Sequence, residues 1–461
     1  MSSPIRRLTA LVLAAALALP QAALAQTPRS RASLAIVRDA EIESLLRDYA
    51  TPIFRAAGVN GRATQIVLVN ERLFNAFVAN GRRIFVNVGA IMDSETPNEI
   101  IGVLAHETGH IAGGHLARLR QELSNAQILS VVGMLLGAGA VAGAARGGSP
   151  IGGAGTGAMG VFTGGQELVR RNLLSYQRSE EQAADQAAVR YLNATQQSPQ
   201  GMLTTFRRFA DSGLFRTSAL DPYLLSHPLP TERIAQLETL AKKSPYLSTK
   251  DSPALQARHD LARAKLFGFT DRPESVIRRY PPSNTSAPAR YARAIVAHRS
   301  GRLSDALSGV DSLLAGAPDN PYFHELRGQV LLESGRAREA VAPLRRAVAL
   351  APEAAPIRVL LGQALVAAGD GRSLDEAIGH LSQAAAREPE SADAFRHLSM
   401  AHGRTGAIGR AELAIAQAYM IEGDLKNAQT QAYRAMAKLP QGSPGYLKAE
   451  DIYTYKPPGS N

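Results

Sequence analysis

The apolar positions of the C-terminal half follow a helical period. After Arg233 the composition shifts to Ala, Leu, Arg and Glu, and apolar residues recur at the spacing that places them on one face of a helix. The polar stretch Lys242–Ala254, which contains two prolines, interrupts this pattern and indicates a domain boundary. We therefore expect the region beyond it to be all-α.

Landmark residues recur through this region at a fixed interval. The glycines at 301, 335 and 369 lie 34 residues apart, and a fourth follows 37 residues later at 406. Three prolines and three alanines keep the spacings 34 and 37: Pro318, Pro352 and Pro389, and Ala306, Ala340 and Ala377. A 34-residue period predicts tetratricopeptide repeats, whose helix pairs stack into a superhelix with a concave surface. The alternative interpretation is a generic helical bundle.

The N-terminus carries a different apolar pattern. Two arginines precede the run Leu8–Leu19, and small residues at Ala23–Ala25 follow it. This order predicts a secretory signal peptide cleaved before Gln26. An uncleaved anchor is the alternative, but the run is short for a membrane span.

A second uncharged region lies in the middle of the chain. Gln127–Ala145 and Gly147–Gln166 contain no charged residue, and only Arg146 separates them. The first part is as long as a membrane span, yet half of it is Gly or Ala, which contribute little transfer energy. We expect a mobile segment that is lid-like or faces a membrane. A true span and a buried helix with a linker are the alternatives.

Composition narrows the function classes. The chain has no cysteine, so an exported form would be stabilised without disulfides. The formal charge of +11 falls to +9 when the two arginines of the signal peptide are removed, and the excess is spread along the chain. With no tryptophan and no basic patch interleaved with aromatic residues, nucleic acid is not an expected partner. Peripheral contact with an anionic membrane agrees with the basic surface.

The stretch HETGH, His106 to His110, carries the candidate chemistry. Residues four apart share a helix face, so His106 and His110 can bind one zinc ion. Glu107 would lie beside the metal, placed to take a proton from water. The apolar stretch Asn98–Ala105 before it predicts a buried helix.

A catalytic zinc ion needs a third protein ligand. His115 is one candidate, but the metzincin pattern would place the last histidine one position later, where Leu116 stands. Glu181 is the other candidate, with Asp185 one helical turn away to hold a ligand histidine in its correct tautomer. An acidic pair on a solvated helix face remains the alternative for these two residues.

These motifs resemble those of gluzincin peptidases related to HtpX and the CAAX prenyl protease. HExxH is followed by ExxAD at Glu181–Asp185, as in that family. Further stretches resemble family segments in the same order: FNAFV (Phe74–Val78) and GRRIFVNVGAI (Gly81–Ile91) as two strands, HIAGGHLAR (His110–Arg118) as the extension of the zinc helix, and SHPLPTER (Ser226–Arg233). The resemblance implies that His115 belongs to this extension of the zinc helix and does not bind the metal.

The resemblance assigns roles to individual residues. His106, His110 and Glu181 would bind one zinc ion per chain, although another divalent ion also suits imidazole and carboxylate ligands. Glu107 would be the catalytic base, and Asp185 would support a ligand. His227 would lie beside the metal, where it either closes the open position or steadies the oxyanion; from the residues alone it could equally be a turn residue.

Two Val-, Ile- and Phe-rich strands just before the zinc helix suggest an exposed sheet edge above the metal. An extended polypeptide can add to such an edge as a further strand. The expected substrate edge consists of Phe74, Asn75, Ala76 and Phe77, with Asn75 also close to the cleft. Backbone pairing of this kind tolerates many sequences and suits misfolded or unassembled substrates.

The combination of motifs resembles the BepA-type periplasmic proteases of Gram-negative bacteria. It implies an α+β zinc metallopeptidase domain, mostly helical with a small β-sheet, followed by an all-α repeat superhelix. The expected divisions are a signal peptide (1–25), the peptidase domain (26–245), a linker and degenerate helical region (246–287), the repeats (288–445) and a tail (446–461).

This resemblance also implies a function. The expected activity is zinc-dependent endoproteolysis of misfolded or stalled outer-membrane proteins in the periplasm. The repeats would contact the outer-membrane assembly machinery and assist β-barrel assembly. Two alternatives stay open: a chaperone or scaffold whose peptidase site is normally closed, and a membrane-anchored quality-control protease.

Overall fold

Helices account for most of the described elements, and a small sheet lies near the start of the described residues. The computed structural model describes residues 35–61, 63–79, 81–122, 177–211, 227 and 231–457. The expected signal peptide and the uncharged region 127–166 lie outside these residues. The strands are β1 (Ile36–Val37), β2 (Gln65–Val69), β3 (Ala76–Ala79) and β4 (Arg83–Asn87). Apart from the first residue of β1, all described elements belong to the unit Val37–Asn461.

Nine of the described helices lie in the N-terminal part of the chain. They are α1 (Ala40–Ala56), α2 (Val88–Asp93), α3 (Pro97–Gly113), α4 (115–122), α5 (177–194), α6 (Gln200–Asp211), α7 (Thr231–Lys242), α8 (Pro253–Thr270) and α9 (Pro273–Arg279). The remaining described helices form the C-terminal half: α10 (Ala287–Arg299), α11 (Leu303–Gly316), α12 (Pro321–Glu333), α13 (Ala337–Leu350), α14 (Ala355–Ala368), α15 (Gly371–Arg387), α16 (Ala392–Arg404), α17 (Ile408–Glu422), α18 (Leu425–Met436) and α19 (Pro444–Thr454).

The sheet has the strand order β1-β2-β4-β3. Strand β2 pairs with β4 in parallel, and β3 pairs with β4 antiparallel, with Ala76 opposite Val86. The second predicted strand, Gly81–Ile91, is longer than the strand in the structure: β4 ends at Asn87, and α2 begins at Val88. At this turn the backbone N–H of Gly89 donates to the carbonyl oxygen of Glu71, and a Cβ at position 89 would lie 1.9 Å from the carbonyl oxygen of Arg72, so only glycine fits there.

One hydrophobic core joins the sheet to the helices around it. Its buried side chains include Leu46 of α1, Ile84 of β4, Leu104 of α3, Phe206 of α6 and Phe267 of α8. Helix α8 lies in the segment expected to be a linker and degenerate helical region, yet it contributes to this core. The zinc-helix candidate α3 is therefore held between the sheet and several helices.

The predicted 34-residue period is reflected in the helix pairs α10–α11, α12–α13, α14–α15 and α16–α17. The glycine landmarks Gly301, Gly335, Gly369 and Gly406 lie in the turns within the pairs, all with φ between +71° and +80°. Glycine adopts this left-handed conformation without steric cost. The alanine landmarks Ala306, Ala340 and Ala377 are fully buried, where a larger side chain would separate neighbouring helices. The expected fold class is confirmed.

A buried cluster of charges joins the N-terminal helices to the repeats. The Lys265 ammonium lies 2.8 Å from Asp39, 3.4 Å from Glu41 and 3.5 Å from Glu325. Burial raises the pKa of Glu325 to about 7 despite the nearby ammonium. Because these residues come from the start of α1, from α8 and from α12, the cluster ties three separate parts of the chain together.

Within the described ranges, no helix combines the length and apolar character required to cross a bilayer. The prediction for residues 127–166 is not tested by this finding, because those residues are not described.

Candidate metal centre

Helix α3 carries the two histidines of the HETGH stretch. It begins after Thr96, whose backbone N–H donates to the Glu99 carboxylate at 3.1 Å, and Pro97 fills the first helical position. Almost the whole helix is buried up to Gly109. His106 and His110 project from the same face, and their Nε2 atoms lie 3.0 Å apart.

Helix α5 crosses α3 closely and brings the first carboxylate to these histidines. A Cβ on Gly109 would lie 3.0 Å from the Cα and carbonyl oxygen of Ala184, so the missing side chain allows this approach. Glu181, one turn earlier on α5, consequently places its two oxygens 3.3 Å from the Nε2 atoms of His106 and His110.

His227 completes a cluster of four donors. Its Nδ1 lies 3.1 Å from Glu181 and 3.4 Å from Nε2 of His106. Its Nε2 lies 3.2 Å from the carbonyl oxygen of Ala76 and 3.4 Å from Glu107. One donor atom from each of His106, His110, Glu181 and His227 can be chosen so that all lie within 4.8 Å of one another.

This donor set fits a divalent metal ion. Ligands about 2.0–2.1 Å from a tetrahedral zinc ion are separated by about 3.3–3.4 Å, close to the distances between Glu181 and the two histidines. Two imidazoles and one carboxylate form a known catalytic zinc set. All four side chains are buried or nearly so, and grouped buried donors of this kind are expected to bind a cation.

Glu107 lies beside the cluster without joining it. Its side chain is fully buried, and neither carboxylate oxygen has a hydrogen-bond partner among the described residues. Burial raises the pKa of Glu107. Nε2 of His227 lies 3.4 Å from one of these oxygens without forming a hydrogen bond, so the carboxylate keeps the capacity to accept a hydrogen bond from a further donor such as water.

Asp185 and Arg233 contact the donor side chains without belonging to the four-donor cluster. Asp185 lies 2.9 Å from Nδ1 of His106, the nitrogen that faces away from the cluster. The Arg233 guanidinium lies 2.7 Å from Glu181 and binds both oxygens of Asp185, at 2.5 and 2.8 Å. Burial alone would raise the pKa of Glu181, but the charges of His227 and Arg233 hold this pKa well below its usual range.

Sequence reasoning gave Arg233 no role, although it closes the SHPLPTER stretch. A signal was present: Arg233 precedes Leu237 and Ala241 at four-residue intervals on α7, and both are buried. An arginine within a buried apolar stripe requires carboxylate partners. Its side chain is only 2% exposed.

The predicted substrate edge lies next to the cluster. Strand β3 is the last strand of the sheet, and Asn87 donates its backbone N–H to the carbonyl oxygen of Asn75. Antiparallel alternation therefore points the backbone groups of Ala76 and Val78 away from β4. Phe74 and Asn75 precede the strand and are buried, with Phe74 edge-on to Phe209 at 5.1 Å. Phe77 stacks on Phe85.

His115 is outside the four-donor cluster. It lies on the far side of His110, with its Nδ1 2.9 Å from Nδ1 of that residue. Of the two candidates for a third ligand, Glu181 therefore reaches the Nε2 face shared by His106 and His110, and His115 does not.

Comparison with known proteins agrees with these observations. Residues 37–241 match the model of Peptidase family M48. A beta-barrel assembly-enhancing protease from Escherichia coli (strain K12) is 26% identical over 266 residues, which cover 56% of this chain and 52% of the relative. A protein of the same name from Yersinia pestis is 24% identical over 306 residues, or 64% and 59% of the two chains. The chain thus spans little more than half the length of these relatives.

A solved structure is also similar to part of the chain. The crystal structure of a TPR protein with an unusual peptide-binding site is 22% identical, covers 38% of this chain and 90% of that chain, and has a TM-score of 0.32.

Proposed function

We propose that this protein, whose residues 37–241 match the model of Peptidase family M48, is a zinc-dependent endopeptidase whose ligands are His106, His110 and Glu181. The observation that carries the proposal is the buried cluster in which Glu181 lies 3.3 Å from Nε2 of each histidine. When bound, the metal would polarise the carbonyl of the scissile peptide and make a nearby water more acidic.

Glu107 acts as the general base. It neighbours His106 on the helix, yet its carboxylate is left without a hydrogen-bond partner among the described residues. It is therefore free to accept a proton from the attacking water and return it to the leaving amine. Asp185 and Arg233 keep the ligands in place, because Asp185 contacts Nδ1 of His106 and Arg233 forms an ion pair with Glu181.

His227 closes the resting site. Its Nδ1 lies among the donors, where the fourth ligand of a tetrahedral metal would be. Its other nitrogen contacts the carbonyl oxygen of Ala76, one of the backbone groups that an added substrate strand would use. Substrate and His227 thus compete for the same position, and the side chain has to move before cleavage.

The substrates proposed are unfolded or unassembled outer-membrane β-barrel proteins in the periplasm. Support comes from the beta-barrel assembly-enhancing proteases to which the chain is similar. The outward-facing backbone of β3 could also pair with substrate segments of many different sequences. The repeats offer a surface for substrates or for the assembly machinery.

The substrate proposal is tested with purified wild type and with His227→Ala. The assay follows cleavage of an outer-membrane β-barrel protein offered unfolded and offered folded in detergent. We expect cleavage of the unfolded form only, and faster cleavage by His227→Ala at unchanged zinc content. His298→Ala, which removes a histidine from α10 in the repeats, is the matched control and should behave as wild type. Slower cleavage by His227→Ala would show that His227 assists the reaction instead of closing the site.

A scaffold function is the second candidate, and the position of His227 favours it. A site closed in this way could be used rarely, while the repeats perform the main task. In cells lacking the protein, a chain with Glu107→Gln would then restore outer-membrane assembly as well as wild type does. Failure of that variant would favour the peptidase.

A further inference from the structure

Each of the two proposed ligand histidines on α3 has a second ring nitrogen that faces away from the four-donor cluster. The proton on this nitrogen decides whether the other nitrogen can bind a metal, since an imidazole ligand offers a lone pair from one nitrogen only. For His106 the outward Nδ1 lies 2.9 Å from Asp185. For His110 the outward Nδ1 lies 2.9 Å from Nδ1 of His115.

His115 is itself held by a carboxylate. Its Nε2 lies 2.7 Å from an oxygen of Glu180, the residue just before the ligand Glu181 on α5. Arg118 in turn lies 2.7 Å from the same Glu180 oxygen. His115 is only 6% exposed, so its ring and its contact with Glu180 are largely shielded from water, whereas the Arg118 side chain is exposed.

The contacts select one tautomer at each ring. Glu180 accepts a hydrogen bond, so the Nε2 of His115 carries a proton and its Nδ1 is left as an acceptor. The Nδ1 of His110 must then carry the proton of the 2.9 Å hydrogen bond. This leaves the lone pair of His110 on Nε2, the nitrogen that faces His106 and Glu181.

Two consecutive glycines explain how His115 reaches this position. Gly114 ends α3 in the left-handed conformation, with φ of +69°, which turns the chain back along the helix. The His115 ring then packs directly over Gly113, where a Cβ would lie 2.2 Å from the ring Nε2. Any side chain at position 113 would displace the ring.

We propose that His115, held by Glu180, is a positioning residue that fixes the tautomer and orientation of His110 for metal binding. The proposal rests on the proposed zinc site and adds to it a second carboxylate-to-ligand chain. The two ligand histidines are then supported in parallel, one by Asp185 directly and the other by Glu180 through an intervening histidine. Groups that orient a metal ligand in this way typically change metal affinity by about 10–100-fold when removed.

The test measures zinc affinity by competition with a chromophoric chelator, independently of proteolysis. His115→Phe keeps the ring shape but cannot accept the hydrogen bond, and we expect zinc to bind about 10–100-fold more weakly. His115→Asn places an acceptor where Nδ1 was, so its loss should be smaller. Gly113→Ala should resemble His115→Phe, because it displaces the ring without changing the ring itself.

The partner and control variants complete the design. Glu180→Ala should weaken zinc binding, and adding it to His115→Phe should cost little more, because both changes break one chain of contacts. His298→Phe is the matched control: it removes a histidine that pairs with Glu333 in the repeats, and it should leave zinc affinity unchanged. Circular dichroism and melting temperature show which variants remain folded.

Three outcomes would contradict the inference or its premise. Unchanged zinc affinity in folded His115→Phe and Gly113→Ala would remove the positioning role. Complete loss of the zinc ion in His115→Phe and also in His115→Asn would make His115 a ligand. If wild type itself bound no zinc, the proposed function would fail, and the variants would not be needed to show it.

Discussion

His259 should make the protein sensitive to mild acid. It is fully buried on α8, its Nδ1 lies 3.1 Å from the Tyr49 hydroxyl, and its Nε2 lies 3.0 Å from the Ser94 carbonyl oxygen. The carbonyl requires a proton on Nε2, so the neutral ring accepts the hydroxyl proton at Nδ1. Burial lowers the pKa of His259 from 6.5 to about 4.

The size of the effect follows from proton linkage. The unfolded chain takes up a proton near pH 6.5, whereas the folded chain does so only near pH 4. This contribution to stability is complete above pH 6.5, and it is lost as the pH falls from 6.5 towards 4. Between pH 7.5 and pH 5 the expected loss is about 2 kcal/mol from this one side chain.

The assay is urea denaturation followed by circular dichroism at pH 7.5 and pH 5, with chelator present throughout. His259→Gln removes the titrating ring while keeping hydrogen-bonding capacity. Other groups titrate in both proteins, so the difference between their pH dependences isolates His259. Wild type should lose about 2 kcal/mol more than the variant on acidification. Equal losses would show that the ring is already protonated or is reached by water, and would refute the reasoning.

Three further predictions follow from a buried ion pair, a close helix contact and the backbone conformation of two glycines. Arg233→Met should destabilise the metal-free protein by about 3–5 kcal/mol, because it leaves two buried carboxylates without their cation; urea denaturation measures this, and a loss below about 1 kcal/mol would contradict it. Gly109→Ala should weaken zinc binding in the chelator assay, since its Cβ would push against Ala184, and an unchanged affinity would show that the two helices can separate freely. Gly335→Ala should cost about 1–2 kcal/mol at its positive φ, whereas Gly379→Ala, at a helical position with open space, should stabilise by about 0.5–1 kcal/mol; equal melting temperatures would contradict this pair.

The repeats were the most predictable part of the fold, because their contacts are local. Each helix pair packs on the next, so a landmark such as Gly335 or Ala340 returns at the same interval and needs the same residue for the same reason. The small sheet was less predictable. Strand β4 pairs in parallel with β2, and neither that pairing nor the end of β4 at Asn87 follows from its Val, Ile and Phe content.

The candidate site shows the same division between local and distant contacts. The four-residue spacing that places His106 and His110 on one helix face is local, so it could be predicted from the sequence. The approach of Glu181 depends on a helix crossing at Gly109. His227 is 121 residues from His106 in the sequence, so its position depends on long-range packing. Arg233 was missed because its partners, Glu181 and Asp185, lie on another helix. The ligand and base assignments stay predictions until variants are measured.

The central claim is tested most directly by comparing wild type with Glu107→Gln, purified without chelators. Zinc content and cleavage of an unfolded outer-membrane β-barrel protein are measured on the same samples. The account predicts about one zinc ion per chain in both proteins, with cleavage by wild type and none by the variant. Equal cleavage by the two proteins, or zinc-bound wild type that cleaves nothing even after His227→Ala, would contradict it.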